Sequence, residues 1–544
     1  MKRFIEHPGE KIYDLIVIGG GITGAAVAYE AASQGFSVAL VEKGDFGAAT
    51  SAATSKLIHG GLRYLANFEF GLVRESLRER KTLENIAPNL VYPLPFLVPL
   101  YRHGVRKLEI IEPGMLIYDL LSYDKGFTWD PSKKIPLHRF MPEKKVLEAE
   151  PIVSPQELTG AVVYYDCACL YPERLTLAFI KSALKYGADV ANYARVEEFS
   201  RAGAGIDGVI VRDLLNGSTT TLRGRLTINC AGPWADLLLN QARGQSGPQH
   251  VRRSEGIHIV TRQKLTRHYA VGGLTLDGRP CNVIPWRGHS LIGTTDREYL
   301  GDPDHYTVTR AKIEAYIAEV NAAFGQPGLV KIEDVVYAYG GLRPLVEDQT
   351  KETYKTSRRY EIYDNASDGL PGLVTVEGGK YTTSRNLAEN VLKMVCRNFN
   401  RPYKKSITDT TYLAGCEIKD LNAFQTAAQT SYPQLGEQPA KFLGGLYGKE
   451  LSQVMAIAQE QPELAVPLNA DGEMLAQVVF AIRSEMARTL TDIFLRRTGL
   501  GTLGYPGDRV LAAAAQIAAR ELNWTNTQTE LELAAAQKTL RLPL

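Results

Sequence analysis

Ile12-Tyr13-Asp14-Leu15-Ile16-Val17-Ile18-Gly19-Gly20-Gly21-Ile22-Thr23-Gly24 is the stretch whose reading decides the fold. Its first seven residues are a β-rich, nearly continuous apolar run, the pattern of a parallel strand buried on both faces. Gly19, Gly21 and Gly24 follow with dinucleotide-binding spacing. The first permits a tight turn, the second lets backbone approach a pyrophosphate, and the third allows close helix–strand packing. Residues 23–34 are Ala-rich and helix-forming, and Gly35 is placed as the C′ residue. Orphan N–H groups at that helix start would face the phosphates. Residues 37–42 read as a second strand ending in Glu42, an acid that can accept from a ribose diol. A Gly-rich turn alone is a weak sign; strand, helix, second strand and terminal Glu together predict dinucleotide binding.

After Glu42 the chain starts no further compact βα unit. Residues 44–56 are small and hydroxyl-rich, able to lie along an extended cofactor or to form a solvated Ser/Thr loop. Composition alone favours the loop. The adjoining segment overturns it: Ser55-Lys56-Leu57-Ile58-His59-Gly60-Gly61-Leu62-Arg63-Tyr64 sets a histidine, an arginine and a tyrosine on a Gly-rich stretch, where a small anion could meet the dinucleotide.

The chain's 544 residues exceed one ordinary core, so two or three domains are expected. With 62 basic against 60 acidic residues, the charge balance makes no case for a nucleic-acid binder. Met1-Lys2-Arg3-Phe4-Ile5-Glu6-His7-Pro8 has no apolar h-region, so no secretory signal is visible. No apolar stretch approaches the ~18 residues of a spanning helix. Cys167, Cys169, Cys230, Cys281, Cys396 and Cys416 are scattered and read as reduced thiols of a cytoplasmic protein. Cys167-Ala168-Cys169 lacks the second pair or nearby His that a metal site needs.

The fold class expected is α/β: a discontinuous Rossmann-like domain, an α+β substrate-capping domain and a C-terminal α-helical domain. The dinucleotide domain takes residues 1–94, 166–240 and 337–400, the cap 95–165 and 241–336, and the helical domain 401–544. The Pro-rich run Tyr92 to Pro99 is read as a break ending the first piece. A hairpin is expected around Asn216-Gly217, and a cap helix from Arg310 to Phe324.

Residues 55–64, Gly293-Thr294-Thr295-Asp296, Gly340-Gly341-Leu342-Arg343-Pro344 and Glu377-Gly378-Gly379-Lys380-Tyr381-Thr382-Thr383 closely resemble the FAD-dependent glycerol-3-phosphate dehydrogenases, of the glycine-oxidase/D-amino-acid-oxidase-like flavoprotein group. The likeness runs from about Ile12 to Val391 and continues more weakly in residues 485–492 and 496–498. One segment departs from the commoner pattern: Glu255 stands where many relatives carry a basic residue. The resemblance implies FAD as cofactor, glycerol 3-phosphate as substrate and a quinone as electron acceptor. It also implies peripheral contact with the inner face of the cytoplasmic membrane; a homodimer stays open. Cofactor contacts are expected from Gly19, Gly21, Ile22, Thr23, Gly24, Glu42 and Lys43, then from Thr50, Ser51, Thr54, Ser55, Lys56 and Gly60. Further along the chain they are expected from Val196, Ala231, Gly232 and Trp234, and from Gly379, Lys380, Tyr381 and Thr382.

Oxidising a secondary alcohol with a flavin requires a base for the hydroxyl proton and a grip on the phosphate. Arg63 and Arg343 are the candidates for the grip, because the guanidinium fork pairs bidentately with phosphate oxygens. Their alternative is two surface arginines at turns. His258 is preferred as acid/base and His59 as a positioning group, although either suits a buried structural histidine. Lys380 could hold the substrate oxygen or stabilise reduced flavin, and Tyr64 either bonds the phosphate or packs. Asp296 reads as structural. Residues 101–118 run basic then apolar, either a solvated face beside a core helix or an interfacial helix. Two rivals stand beside the dehydrogenase: an oxidase of the same fold that makes peroxide, and a catalytically silent flavin-binding sensor or docking protein.

Overall fold

The computed structural model describes residues 1–103, 106–244, 251–346 and 359–543. Strand β1 (Ile12–Ile18) lies inside an eight-stranded sheet, parallel to β2 (Val38–Val41) on one side and to Thr219–Asn229 on the other. Asp189–Ala191 extends one edge in parallel; Leu373–Gly378 extends the other before the antiparallel Tyr360–Asp364. The apolar run of β1 is continuous because both faces are covered. Leu15 and Val17 pack into a core shared with the helices, and Ile16 and Ile18 pack with Val196, Val209 and Val211 of an antiparallel hairpin layer.

Helix α1 (Ile22–Ser33) starts at the carboxyl end of β1, one residue earlier than expected. Gly19 has φ +106°, and a Cβ on Gly24 would stand 1.9 Å from the Gly19 carbonyl oxygen. Strand end and helix start are therefore in contact that only glycines allow.

A second, ten-stranded sheet carries the other wall of the molecule. Three boundaries shift here. Val335–Val346 pairs antiparallel with Val251–Thr261 along its whole length, so the 337–400 segment begins in this sheet and not in the dinucleotide domain. Leu158–Cys169 and Val91–Tyr101 also belong to it, which moves the boundaries at 94 and 166. The Pro-rich run is no break. Pro93, Pro95 and Pro99 share one parity of the Val91–Tyr101 strand, so their missing N–H groups fall on one edge. That edge faces away from Leu158–Cys169, on the side where Ala270–Leu274 pairs with the strand at Phe96 and Leu97.

The helices from Leu421–Ser431 to Asn526–Leu540 enclose a separate core around Leu443, Val454, Phe480, Phe494 and Leu511. Residues 401–420, expected to open this domain, instead pack on the first one: Leu413 and Cys416 join its core, and Ser406 Oγ donates to Glu30 Oε2 at 2.7 Å. Buried ion pairs fasten the helical domain to a turn of the second sheet and to the helix Pro172–Lys185. Arg287 meets Asp471 and Glu473 at 2.6 and 2.8 Å, and Arg174 meets Glu485 at 2.6 Å. Among the described residues no helix is long and apolar enough to cross a membrane.

Candidate active site

A cavity of about 1920 Å³ opens between the two sheets, bordered by the β1–α1 turn, the 44–55 segment and the second sheet. At its nucleotide end, Gly21 is the N-cap of α1 and brings no capping side chain of its own. Ser51 Oγ takes the Ile22 N–H at 2.9 Å, and Gly21 and Thr23 border the cavity beside it. A Cβ on Gly21 would meet only Ser51 Oγ, at 3.2 Å, so this face of the turn is open to a ligand. The helix N-terminus and its dipole therefore present to the cavity what a pyrophosphate needs.

Glu42 is set by backbone. Its carboxylate accepts from Gly20 N at 2.6 Å and Gly44 N at 2.7 Å, and each oxygen retains a second lone pair for a ribose hydroxyl. Burial pushes its pKa up against those two bonds. Lys43 Nζ lies 4.0 Å from the centre of the Trp234 ring, and both meet Asp304 of the second sheet's side, at 2.5 and 2.9 Å. Val196, Ala231 and Gly232 line the same end. Thr50 Oγ1 donates to Leu342 O at 2.6 Å, and a Cβ on Gly341 would stand 2.6 Å from Ala53 Cβ. The hydroxyl-rich segment is thus pressed against the Gly341-Leu342 backbone instead of being solvated.

The cations gather at the other end. Arg343 Nη2 donates to Thr294 Oγ1 at 2.8 Å, and Nη1 to the Thr295 and Glu255 carbonyls at 3.2 and 3.3 Å. Gly256 makes the room: its Cβ would lie 2.0 Å from Arg343 Nη2. Asp296, read as structural, accepts from Ser254 Oγ at 2.6 Å and lies 3.9 Å from Arg343. Burial, and after the Asp296 carboxylate's opposing pull the charge of Arg63, lower the Arg343 pKa. Arg63 Nη2 donates to Tyr64 OH at 3.0 Å, and Lys380 Nζ lies 4.7 Å from the Tyr64 ring centre and 2.5 Å from Ser76 Oγ. Tyr64 thus both packs and presents its hydroxyl oxygen to a cation. The unusual Glu255 carboxylate is neutralised by Lys312 Nζ at 2.6 Å and only its backbone serves Arg343.

Both histidines reach the cavity. His59 N donates to Thr382 Oγ1 at 3.3 Å, and burial pulls the imidazole down to about 4, with Asp166 opposing and Lys380, Arg63 and Arg80 reinforcing. His258 is likewise held well below its ordinary range by burial, then by Arg343 and Lys56. Gly379 and Tyr381 border the same space, Tyr381 with its hydroxyl turned to Pro172 O at 2.5 Å.

Three expected contacts fall elsewhere. Lys56 points away from the cavity into a buried ion pair with Glu173 at 2.5 Å. Gly60 lies behind the wall, its N–H donating to Asp166 Oδ1 at 3.1 Å and its missing Cβ leaving room for Tyr118 OH. Gly24 serves helix–strand packing alone. Conversely, two residues of the cavity wall carry no motif in the sequence. Asp166 accepts from Arg80 at 2.6 Å, Tyr118 at 2.9 Å and Gly60, and its one sequence signal is an acid inside the apolar run of residues 161–169. Arg106 donates to the Gly272 carbonyl and, at 2.9 Å, to that of Gly273.

Residues 14–385 match the family model described as FAD dependent oxidoreductase, and residues 406–529 match the C-terminal domain of alpha-glycerophosphate oxidase. A glycerol-3-phosphate dehydrogenase of Synechocystis is 35% identical over 96% of this chain and 95% of its own length. This chain belongs to the FAD-dependent glycerol-3-phosphate dehydrogenase family. The aerobic glycerol-3-phosphate dehydrogenase of Bacillus subtilis is 32% identical over 91% of this chain and 89% of its own. Among solved structures, the glycerol-3-phosphate dehydrogenase of Bacillus halodurans, complexed with FAD, superposes with a TM-score of 0.77 at 28% identity, covering 98% of this chain and 95% of that one.

As an FAD-dependent member, the chain has a cofactor whose needs these residues fit: a helix N-terminus at the cavity, a glycine face open to the pyrophosphate and a fixed acid for the ribose. Gly21→Val is expected to fold but to hold FAD at least about tenfold more weakly, since a branched side chain would occupy the phosphate's approach. Flavin absorbance after gel filtration measures this, and full occupancy in the variant would misplace the cofactor.

Proposed function

We propose that this protein oxidises sn-glycerol 3-phosphate to dihydroxyacetone phosphate and passes the electrons to a quinone at a membrane surface. The observation that carries the reading is the convergence of Arg63, Arg343 and Lys380 on one end of the cavity, where burial and mutual repulsion already lower the Arg343 pKa. Such a set favours a dianion over a neutral polyol. Bound FAD supplies the two-electron acceptor that takes a hydride from the substrate carbon. Arg343 and Arg63 grip the phosphate and orient the carbinol, Lys380 adds positive charge near the reacting oxygen, and a neutral histidine takes the hydroxyl proton.

Anaerobic mixing with glycerol 3-phosphate should bleach the flavin, and plain glycerol should not. Reduced enzyme should then reoxidise faster with a soluble quinone than with dioxygen. Faster reoxidation by dioxygen with peroxide release would favour the oxidase, a reading that the name of the C-terminal family model keeps in view. Absence of bleaching would favour the silent sensor.

For the membrane contact the support lies in helix Leu108–Leu121. Ile110, Leu116 and Leu120 are 57%, 58% and 72% exposed, and Tyr123 just beyond it is 70% exposed. The basic part of the 101–118 segment differs from the simple amphipathic expectation. Arg106 is built into the cavity wall, Gly104 and Val105 lie outside the described residues, and Arg102 and Lys107 are left beside the apolar face. Leu116→Glu with Leu120→Glu should abolish cosedimentation with anionic vesicles while leaving substrate bleaching intact. If the unaltered protein never cosediments at low salt, this surface is not membrane-facing.

A further inference from the structure

His258 has a single polar outlet. The residue is 1% exposed, and its ring lies nearly parallel to that of Tyr339, with centroids 4.9 Å apart and planes 11° from parallel. A Cβ on Gly293 would stand 2.0 Å from His258 Cδ2, so that edge is closed and the ring is locked. Nδ1 is buried without a hydrogen-bond partner among the described residues. Nε2 lies 2.9 Å from Ser55 Oγ. Ser55 borders the cavity together with His258, and Tyr339 OH donates to Thr54 O at 2.8 Å, fixing the residue before Ser55 to the ring that backs the imidazole.

We propose that Ser55 is a catalytic residue, its hydroxyl relaying the proton of the substrate's carbinol to His258 Nε2. The inference rests on the reading that glycerol 3-phosphate is oxidised. The C2–H electron pair leaves as hydride to the acceptor already named, and the carbinol O–H bond breaks as C2=O forms. That proton goes to Ser55 Oγ while the Ser55 proton passes to Nε2, leaving an imidazolium. The resting imidazole then carries its proton on Nδ1. Burial with Arg343 and Lys56 nearby keeps the resting ring neutral and able to accept, and a phosphate dianion on Arg343 offsets the field that would oppose its charging. Ser55 is the only hydroxyl bonded to that nitrogen among the described residues and borders the cavity, which gives the proton a hydrogen-bonded path to His258.

The test compares Ser55→Ala, Ser55→Thr and His258→Asn as FAD-loaded proteins. Ser55→Ala should slow anaerobic bleaching by about 100-fold or more, within the range of general-base catalysis, with FAD content and affinity for a non-reacting phosphate analogue unchanged. Ser55→Thr, which keeps the hydroxyl, should stay within about tenfold of the unaltered enzyme. Bleaching rates across H2O/D2O mixtures should curve for the unaltered enzyme, as two protons move together, and be linear for Ser55→Ala. In the resting protein, imidazole nitrogen NMR should show the His258 Nε2 resonance shifting in Ser55→Ala. Unimpaired bleaching in Ser55→Ala, or slowing only in proportion to lost FAD, overturns the relay while the substrate reading stands. If the unaltered enzyme is not bleached by glycerol 3-phosphate, the substrate reading itself falls and takes the relay with it.

Discussion

Arg343→Lys should weaken binding of a non-reacting phosphate analogue by about ten- to a hundredfold, which is the loss of one charge-assisted hydrogen bond at ~1.5–3 kcal/mol. The charge is retained; the fork is not. In the structure Thr294, Thr295 and the Glu255 carbonyl hold one side of the guanidinium and aim it into the cavity. A lysine ammonium has three donors on one atom and cannot satisfy those carbonyls and a phosphate in the same geometry. Arg343→Met should cost more, ~2–5 kcal/mol, because Arg63 then faces the dianion alone. Gly256→Ala tests the same geometry without touching a charge: its Cβ would lie 2.0 Å from Nη2 and displace the guanidinium. Plain glycerol should remain an equally poor substrate for every form. Isothermal titration with the analogue decides the matter, and unchanged affinity in both Arg343→Lys and Arg63→Lys would move the phosphate to Lys380 and Tyr64.

What could be read from the chain was what neighbouring residues decide. The β1–α1 turn, the hairpin at Asn216-Gly217 and the cap helix (Arg310–Ala323 in the structure) each depend on periodicity and turn chemistry within a few residues. The misplaced boundaries depend on distant partners. Val335–Val346 reads like any apolar strand, and its place in the second sheet is fixed by Val251–Thr261, which periodicity cannot reveal. Three prolines read as a break because their single parity matters only once the neighbouring strands are known. Site residues divide in the same way. Arg63, Arg343 and His59 stand in glycine-rich motifs and His258 in an apolar strand, and all four border the cavity. Lys56 stands in one too, but Glu173, 117 positions further on, captures it. Arg106 and Asp166 had no motif, and the space that gives them a role is made by strands far from either.

Asp45→Ala should cost ~3–5 kcal/mol of stability and loosen FAD, because it leaves the buried Arg497 guanidinium without its carboxylate and Arg496 with Asp492 alone. Asp45 opens the cofactor segment and is fully buried. It accepts from Arg496 Nε at 2.6 Å, from Arg497 Nη1 and Nη2 at 2.8 and 2.7 Å, and from Asn192 Nδ2 at 3.0 Å. Arg496 also bonds Asp492 at 2.5 Å, and Arg497 Nε bonds the Glu485 carbonyl at 3.0 Å. The C-terminal residues that carry the weaker family likeness are therefore those that clamp the start of the flavin segment. Burial alone would raise the Asp45 pKa; Arg497 and Arg496 outweigh it and hold the carboxyl at about 2. A depressed folded value means that this contribution is present above the ordinary Asp value of ~3.9 and is lost as pH falls from there through about 2. Above about pH 5 it should not vary. Arg287→Ala is the control. It breaks the pairs to Asp471 and Glu473 that dock the helical domain on the second sheet, away from the cofactor segment. Both variants should unfold at lower urea, and only Asp45→Ala should release FAD faster under native conditions, as followed by flavin fluorescence. Equal FAD release from the two would mean that domain docking in general, and not the Asp45 clamp, retains the cofactor.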